Sequence, residues 1–172
     1  MGKITFILGG ARSGKSQLAI KLAKEKAKKV AFIATCLPRD REMKKRIALH
    51  KKIRPKSWKT FEEPEDLNLL LKQISSKFEV IIIDCLTLLV SNLLLKGIKA
   101  STIENKINKI VLALKALESQ SIIVSNEVGL GIVPENKLAR AFRDIAGRVN
   151  QIVANKSSEM FFMVSGIPLR IK

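Results

Sequence analysis

The feature that most constrains the fold of this chain is a series of five short apolar runs. They are ITFIL at 4–8, VAFIA at 30–34, VIIID at 80–84, SIIVSN at 121–126 and MFFMV at 160–164. Near-continuous apolar runs of this length are typical of strands that are covered on both faces of a sheet. Longer segments with a helical pattern separate them, which indicates βαβ units with right-handed crossovers and a mainly parallel sheet.

The segments between the runs have the periodicity of helices. The clearest covers 101–119, where Ile103, Ile107, Val111 and Leu114 recur at helical spacing. The other predicted helices are 15–29, 40–52, 64–76, 87–95 and 134–157. We find no repeat, low-complexity tract or linker that would divide the 172 residues, so residues 1–172 are predicted to form one α/β domain.

The first apolar run leads into GGARSGKS, which matches G-x-x-x-x-G-K-[ST] between a strand and a helix. Glycines let backbone N–H groups converge on phosphate oxygens, and the following helix points its positive end at the same place. The pattern predicts that Lys15 reaches the β and γ phosphates and that Ser16 binds Mg²⁺. A chance glycine turn is the alternative, which the flanking strand and helix disfavour. The nucleotide-binding residues predicted here are Gly9, Gly10, Ala11, Arg12, Ser13, Gly14, Lys15 and Ser16.

This loop predicts a P-loop NTPase-type three-layer fold, with a mainly parallel central sheet and helices on both faces. Asp84 ends the third apolar run, where an acidic residue usually helps to hold Mg²⁺ beside the phosphates. Its alternative role is to cap the helix that follows. We therefore expect Mg²⁺ at Ser16 and Asp84, with GTP, ATP or both as co-substrates.

The net charge of +17 raises the question of nucleic-acid binding. Its alternative explanation is a lysine-rich solvated surface together with a site for polyanionic nucleotides. Tyrosine is absent and Trp58 is the only tryptophan, so the chain lacks aromatic residues on which bases could stack. We therefore expect no specific nucleic-acid partner.

Several features bear on where the protein works. Asp84 interrupts the longest apolar run, which is too short to span a bilayer, and MGKITFILGG has no cleavage site typical of a signal peptide. Cys36 and Cys85 fit no metal spacing, and Cys85 is expected in the core. Together these observations predict a cytoplasmic protein with reduced thiols and no transmembrane segment.

The only histidine, His50, lies in the basic stretch RIALHKKIRP at 46–55. Met43, Ile47 and His50 share one face of the predicted helix, which favours a packed structural histidine as one interpretation. A nucleophilic histidine is the other interpretation. The neighbouring cations would then neutralise charge that builds on an α-phosphate and on leaving pyrophosphate.

Several blocks together resemble one enzyme family. They are GGARSGKS, FIAT at 32–35, RIALHKKIRP followed by Trp58, VSNEVGLGIVPENKLARAFRDIAGRVNQ at 124–151 and VSGIPLRIK at 164–172. The chain is similar over residues 3–172 to the bifunctional adenosylcobinamide kinase / adenosylcobinamide-phosphate guanylyltransferase family of cobalamin biosynthesis. The NEVGLGIVPEN block is far more specific than the phosphate loop, which many unrelated nucleotide enzymes share.

The resemblance implies phosphorylation of adenosylcobinamide by a nucleoside triphosphate. It also implies transfer of GMP from GTP to adenosylcobinamide phosphate, giving adenosylcobinamide-GDP. The family uses a GMP–histidine intermediate, and its R-I-x-x-H-[KR]-x-x-R-P pattern falls on His50, so His50 and Lys15 are the expected catalytic residues. It further implies a homo-oligomer, expected to be a trimer. The implied nucleotide contacts outside the loop are Ala34, Thr35, Cys36, Lys51, Lys52, Ile53, Arg54, Glu62 and Asp84.

Some assignments stay open at this point. Cys36 replaces the serine expected there, so a side-chain hydroxyl contact is not available. Asn126 and Glu127 lie at the end of the fourth predicted strand and would position metal, position the substrate hydroxyl, or form a capping turn. A P-loop kinase of another small alcohol or nucleotide, with a structural His50, is the alternative enzyme. An ATP-driven nucleic-acid-binding module is the alternative from another class.

Overall fold

The computed structural model describes residues 2–38, 41–74 and 77–172, and the side chains at 42 and 46 lie outside that description. The strands are β1 (Ile4–Gly9), β2 (Val30–Ala34), β3 (Lys59–Glu62), β4 (Val80–Asp84), β5 (Gln120–Asn126), β6 (Glu159–Val164) and β7 (Ile167–Arg170). The helices are α1 (Lys15–Lys26), α2 (Arg41–Lys52), α3 (Leu67–Ile74), α4 (Leu86–Leu95), α5 (Ala100–Ala116) and α6 (Lys137–Lys156). The five predicted strands and six predicted helices are confirmed. The predicted helical positions 40 and 75–76 lie outside the described residues.

All seven strands form one sheet in the order β3-β2-β4-β5-β1-β6-β7. The pairs among β1 to β6 are parallel, and β7 returns antiparallel to β6. The carboxyl ends of the parallel strands therefore meet at one edge, which is where ligands bind in open α/β sheets. In the register of that edge, Ala34 lies opposite both Glu62 and Asp84, and Gly9 lies opposite Asn126.

Two hydrophobic clusters cover the two faces of the sheet. On one face, Phe6 of β1 belongs to a cluster that also contains buried side chains of α3, α4, α5 and α6. On the other face Phe32 of β2 packs with α1 and with Trp58. Both phenylalanine side chains are fully buried, so replacing either with alanine would cost about 3–5 kcal/mol of stability. Helices on both faces confirm the predicted three-layer α/β architecture.

Two strands carry no apolar run, and the sequence did not predict them. β3 has the sequence KTFE and β7 has IPLR, and both lie at edges of the sheet with mostly exposed side chains. An exposed edge strand needs no continuous apolar sequence, and Pro168 is tolerated there because an edge strand leaves some N–H groups unpaired.

α2 differs from the other helices because none of its described side chains belongs to either hydrophobic cluster. Leu49 is 62% exposed, and His50 is exposed in the last turn. None of the described helices is both long and apolar enough to cross a membrane.

Candidate active site

The phosphate loop begins at the carboxyl end of β1 and ends in the first turn of α1. A Cβ atom on Gly9 would lie 2.7 Å from the carbonyl oxygen of Met163 and 2.9 Å from Ser13 Oγ, so only glycine fits there. Gly14 has φ +92°, a left-handed conformation that glycine adopts without strain. Gly166 in the turn after β6 donates to the Ser13 carbonyl at 3.1 Å, which fixes the loop against the β6–β7 hairpin.

Lys15 lies folded into this loop. Its side chain is 7% exposed, and Nζ donates to the Gly10 carbonyl at 2.5 Å and to Ser13 Oγ at 3.4 Å. Burial lowers the pKa of Lys15 below its usual 10.5, while Cys85 and Asp84 act in the opposite direction. A buried ammonium that bonds only neutral oxygens within its loop is suited to receive an anion such as a polyphosphate.

Asp84 lies at the end of β4, half-buried, and its charge acts on two cations. One is Lys15 and the other is Arg54, whose guanidinium carbon lies 3.6 Å from the centroid of the Phe32 ring. Burial lowers the pKa of Arg54, and Asp84 and then Glu62 oppose that effect. The structure therefore brings together the phosphate loop, the predicted acidic residue and the end of the basic stretch.

Two donors of Arg54 have no hydrogen-bond partner among the described residues. Nε and Nη1 are buried and make no hydrogen bond to the described residues. Buried guanidinium donors are normally satisfied because leaving them unpaired costs free energy. Arg54 therefore offers two N–H groups to a ligand with acceptor oxygens.

Two open clefts flank Arg54. One of about 620 Å³ lies between the end of α1 and the segment Ile53–Trp58. The other, of about 380 Å³, is lined by three of the predicted nucleotide contacts, Lys51, Arg54 and Glu62. Lys51 Nζ lies 2.6 Å from Glu62 Oε1, and both side chains are exposed. Such a surface pair contributes about 0–1 kcal/mol, so these groups can exchange partners at little cost.

His50 lies at the surface in the last turn of α2, two residues before the exposed Lys52 and four before Arg54. An exposed side chain does not match the interpretation of a histidine packed on an apolar face. Among the described contacts, none joins His50 to the phosphate loop. The predicted contact Ile53 is 46% exposed and lines the larger cleft.

Thr35 follows β2, and its buried hydroxyl makes two hydrogen bonds to the backbone of Cys85. Oγ1 donates to the Cys85 carbonyl at 2.6 Å and accepts from the Cys85 amide at 2.9 Å. Asn92 of α4 donates to the Thr35 carbonyl at 2.8 Å. The preceding residue, Ala34, has its carbonyl bonded by the Glu63 amide at 2.9 Å. The Thr35 side chain therefore joins the ends of β2 and β4.

The two cysteines lie close to this junction. Cys36 is half-buried, and its thiol donates to the Leu37 carbonyl at 3.7 Å. Cys85 is buried as predicted, and its burial raises the pKa of the thiol to about 12. Cys85 is therefore an uncharged core residue at physiological pH and not a nucleophile.

A buried polar network supports the end of β5, and of its members the sequence analysis singled out only Asn126. Thr87 Oγ1 accepts from the Asn126 amide at 2.6 Å and lies 3.0 Å from Ser125 Oγ. Ser125 Oγ donates to Asn150 Oδ1 at 2.7 Å, and Asn150 Nδ2 donates to the Asn126 carbonyl at 3.2 Å. The sequence feature that could have indicated this network is a small polar residue within an apolar run, as at Ser125 in SIIVSN.

The described residues contain no group of three or more His, Cys, Asp or Glu side chains that could hold a metal ion on its own. The predicted metal ligands, Ser16 and Asp84, lie at the start of α1 and the end of β4. Both offer oxygen, the donor atom that Mg²⁺ prefers. Mg²⁺ is usually bound by one or two protein ligands together with substrate phosphates and water, so this small donor set fits it.

A phosphate-binding loop between a central parallel strand and a helix, with a buried lysine and a carboxylate two strands away, defines a P-loop nucleotide enzyme. The family model described as "Cobinamide kinase / cobinamide phosphate guanyltransferase" matches residues 5–171. The chain belongs to this family, which confirms the predicted enzyme class, a bifunctional kinase and guanylyltransferase that uses nucleotide co-substrates.

Curated relatives agree with this assignment over nearly their whole length. The chain is 41% identical to "Bifunctional adenosylcobalamin biosynthesis protein CobP" of Pseudomonas aeruginosa over 97% of this chain and 96% of that relative. It is 40% identical to "Bifunctional adenosylcobalamin biosynthesis protein CobU" of Escherichia coli and to the protein of the same name in Salmonella typhimurium. Each of these two matches covers 97% of this chain and 98% of the relative. The predicted role in cobalamin biosynthesis is confirmed.

Proposed function

We propose that residues 1–172 act as one catalytic domain that carries out both family reactions around the same phosphate loop. In the first, a nucleoside triphosphate phosphorylates the hydroxyl of adenosylcobinamide. In the second, GMP passes from GTP to adenosylcobinamide phosphate through His50, giving adenosylcobinamide-GDP and pyrophosphate. We also propose that the enzyme works in the cytoplasm, as expected for a biosynthetic enzyme with bacterial relatives.

The observation that carries this proposal is the pair of cations, Lys15 and Arg54, that both interact electrostatically with Asp84. Lys15 is buried within the loop and bonds only neutral oxygens, and Arg54 has two buried donors without partners. The charge of Asp84, at the edge where the parallel strands end, acts on both of them. A polyphosphate would supply the anionic oxygens that these two side chains lack.

The kinase step depends mainly on position and charge. The loop backbone and Lys15 would hold the β and γ phosphates, while the substrate hydroxyl attacks the γ-phosphorus in line with the leaving oxygen. Ser16 and Asp84 would hold Mg²⁺, which neutralises charge on the phosphates when bound. Further nucleotide contacts would come from the backbone of Ala34 to Cys36 and from Lys51 to Arg54.

The guanylyl step needs a nucleophile, and His50 is proposed for that role. Its imidazole is exposed on a helix whose described side chains belong to neither hydrophobic cluster, so a nucleotide can approach it. A ring nitrogen would form a bond to the α-phosphorus of GTP while the α–β anhydride bond breaks and pyrophosphate leaves. A phosphate oxygen of adenosylcobinamide phosphate would then displace the imidazole.

The test is reconstitution of the two reactions. The purified chain is incubated with Mg²⁺, ATP or GTP, and adenosylcobinamide, and the corrinoid products are identified by mass. We expect adenosylcobinamide phosphate first and adenosylcobinamide-GDP when GTP is present. Phosphorylation of a different small alcohol with no turnover of adenosylcobinamide would contradict the proposal and favour the alternative kinase.

We further propose a homo-oligomer, with the trimer as the expected state. Exposed apolar side chains support it. They occur in the loop before α6, where Leu130 is 82% and Ile132 is 95% exposed, and along the β6–β7 hairpin, where Ile167 is 64% exposed. Exposed apolar surface of this kind is typical of interaction sites. Light scattering of the purified protein measures the mass, and a strictly monomeric protein would contradict the proposal.

A further inference from the structure

Glu127 directly follows β5, and its backbone is bonded to the phosphate loop. β5 lies beside β1 in the sheet, with Asn126 opposite Gly9. The Glu127 amide continues that pairing and donates to the Gly9 carbonyl at 3.0 Å. The Glu127 side chain is half-buried. Glu127 therefore lies beside Gly9, the residue at which the phosphate loop begins. β5, which precedes Glu127, is the neighbour of β4, which ends in Asp84.

Hydrogen bonds from two helix side chains hold the end of β5, next to Glu127, in position. Thr87 accepts from the Asn126 amide at 2.6 Å, and Asn150 donates to the Asn126 carbonyl at 3.2 Å. Both side chains are about 95% buried and belong to helices on the same face of the sheet. A group that takes part in chemistry has to be held close to its productive position, and this network supplies that support.

The Glu127 carboxylate is itself oriented by the turn that follows. Oε1 accepts from the Gly129 amide at 2.6 Å. A Cβ atom at position 129 would lie only 2.9 Å from that oxygen, so the absence of a side chain on Gly129 leaves the carboxylate its space. One oxygen is held by the backbone, which fixes the group while its other oxygen stays available.

Other carboxylates at this edge have different partners. Glu62, at the end of β3, forms an ion pair with Lys51 at 2.6 Å. Glu63 accepts from the amides of Glu65 and Asp66 at 2.9 Å and 2.8 Å, just before α3 begins. Both lie on the β3 side of the sheet, away from the loop strand β1.

Asp84 faces Lys15 and Arg54, as described above. Asp84 is proposed to hold Mg²⁺ beside these cations, so another carboxylate is needed to receive the proton of the substrate hydroxyl. Glu127, in contrast, makes no ion pair with any cation of the described residues, and its carboxylate accepts from the backbone amide of Gly129. It therefore lies beside the start of the loop with one carboxylate oxygen not used in the bond to Gly129.

We infer that Glu127 is the general base of the kinase step. This inference rests on the proposed reaction at the phosphate loop. As the substrate oxygen attacks the γ-phosphorus, its proton passes to the Glu127 carboxylate. The new bond joins that oxygen to phosphorus, the bond from the γ-phosphorus to the bridging oxygen breaks, and a nucleoside diphosphate leaves. Glu127 then returns the proton to solvent.

The experiment exploits the two activities of one chain. Glu127→Gln keeps the size of the side chain and removes its basicity, and Glu135→Gln makes the same change at an exposed position later in the same loop. We expect the kinase kcat of Glu127→Gln to fall about 100-fold or more. The KM for nucleotide and the corrinoid-independent GMP labelling of the protein should stay near the wild-type values. Glu135→Gln should behave as wild type in all three assays.

A second variant tests the inference independently, in case Glu127→Gln does not fold. Gly129→Ala keeps the Glu127 carboxylate but crowds it, so the kinase kcat should fall while GMP labelling is kept. Full kinase turnover in Glu127→Gln would overturn the inference, and so would parallel loss of kinase activity and labelling, which indicates a structural role. Absence of kinase activity in the wild-type enzyme would instead overturn the proposed function on which the inference rests.

Discussion

Thr35 Oγ1 and the backbone of Cys85 form two hydrogen bonds to each other, one in each direction, at 2.6 Å and 2.9 Å. They join the ends of β2 and β4, where the sheet carries Asp84. The hydroxyl is fully buried, so it cannot exchange these partners for water. The side chain of Thr35 therefore acts on the shape of the site through Cys85, and a nucleotide contact here would use the backbone.

This junction predicts a stability difference between two variants of Thr35. Thr35→Val keeps the branched shape but leaves the Cys85 amide and carbonyl without their partner, which should cost about 1–3 kcal/mol. Thr35→Ser keeps the hydroxyl and should lose less. Urea denaturation followed by circular dichroism measures both variants. Equal stability of Thr35→Val and wild type would show that the two bonds contribute nothing.

The second prediction concerns Lys15. Replacing it with alanine removes the cation that the loop folds around, and both reactions are proposed to use that cation. We expect Lys15→Ala to lose kinase and guanylyltransferase activity while keeping the native circular dichroism spectrum. Full kinase turnover at saturating nucleotide in a folded Lys15→Ala protein would contradict the idea of a shared site.

The third prediction concerns the charge of +17. Trp58, the only tryptophan, is 9% exposed and packs in the core cluster of α1, so it cannot stack on a base. We expect only weak, salt-sensitive binding to nucleic acid, as dispersed lysines produce. Fluorescence anisotropy with labelled duplex and single strands is the measurement. Tight binding with a base preference at physiological salt would contradict this prediction.

Much of the fold could be predicted because buried parallel strands leave a strong signal. β1 and β2 are buried along their whole length, and their sequences are apolar throughout except for Thr5. β3 and β7 left no such signal because edge strands with exposed faces need no apolar pattern. The alternation of apolar runs with helical segments along the chain then predicted the order of the other strands and the helices.

The site could be predicted in part. A local motif identified the phosphate loop, whose residues are neighbours in sequence. The Thr35–Cys85 bonds and the contact of Arg54 with Phe32 join residues far apart in the chain, so no local pattern reveals them. The exposure of His50 could not be predicted either, because helical spacing placed it on a face with Ile47 without showing whether anything covers that face.

The proposed role of His50 as the guanylyl acceptor is tested by the GMP adduct itself. The wild-type chain is incubated with Mg²⁺ and GTP without corrinoid, and its intact mass and peptide masses are measured. His50→Asn is treated in parallel as the control. We expect one GMP per chain on the peptide that contains His50, with pyrophosphate released, and none on His50→Asn. The phosphoramidate link should be labile in acid and stable in base. An acid-labile GMP on His50→Asn, or a wild-type adduct at another residue, would contradict the account.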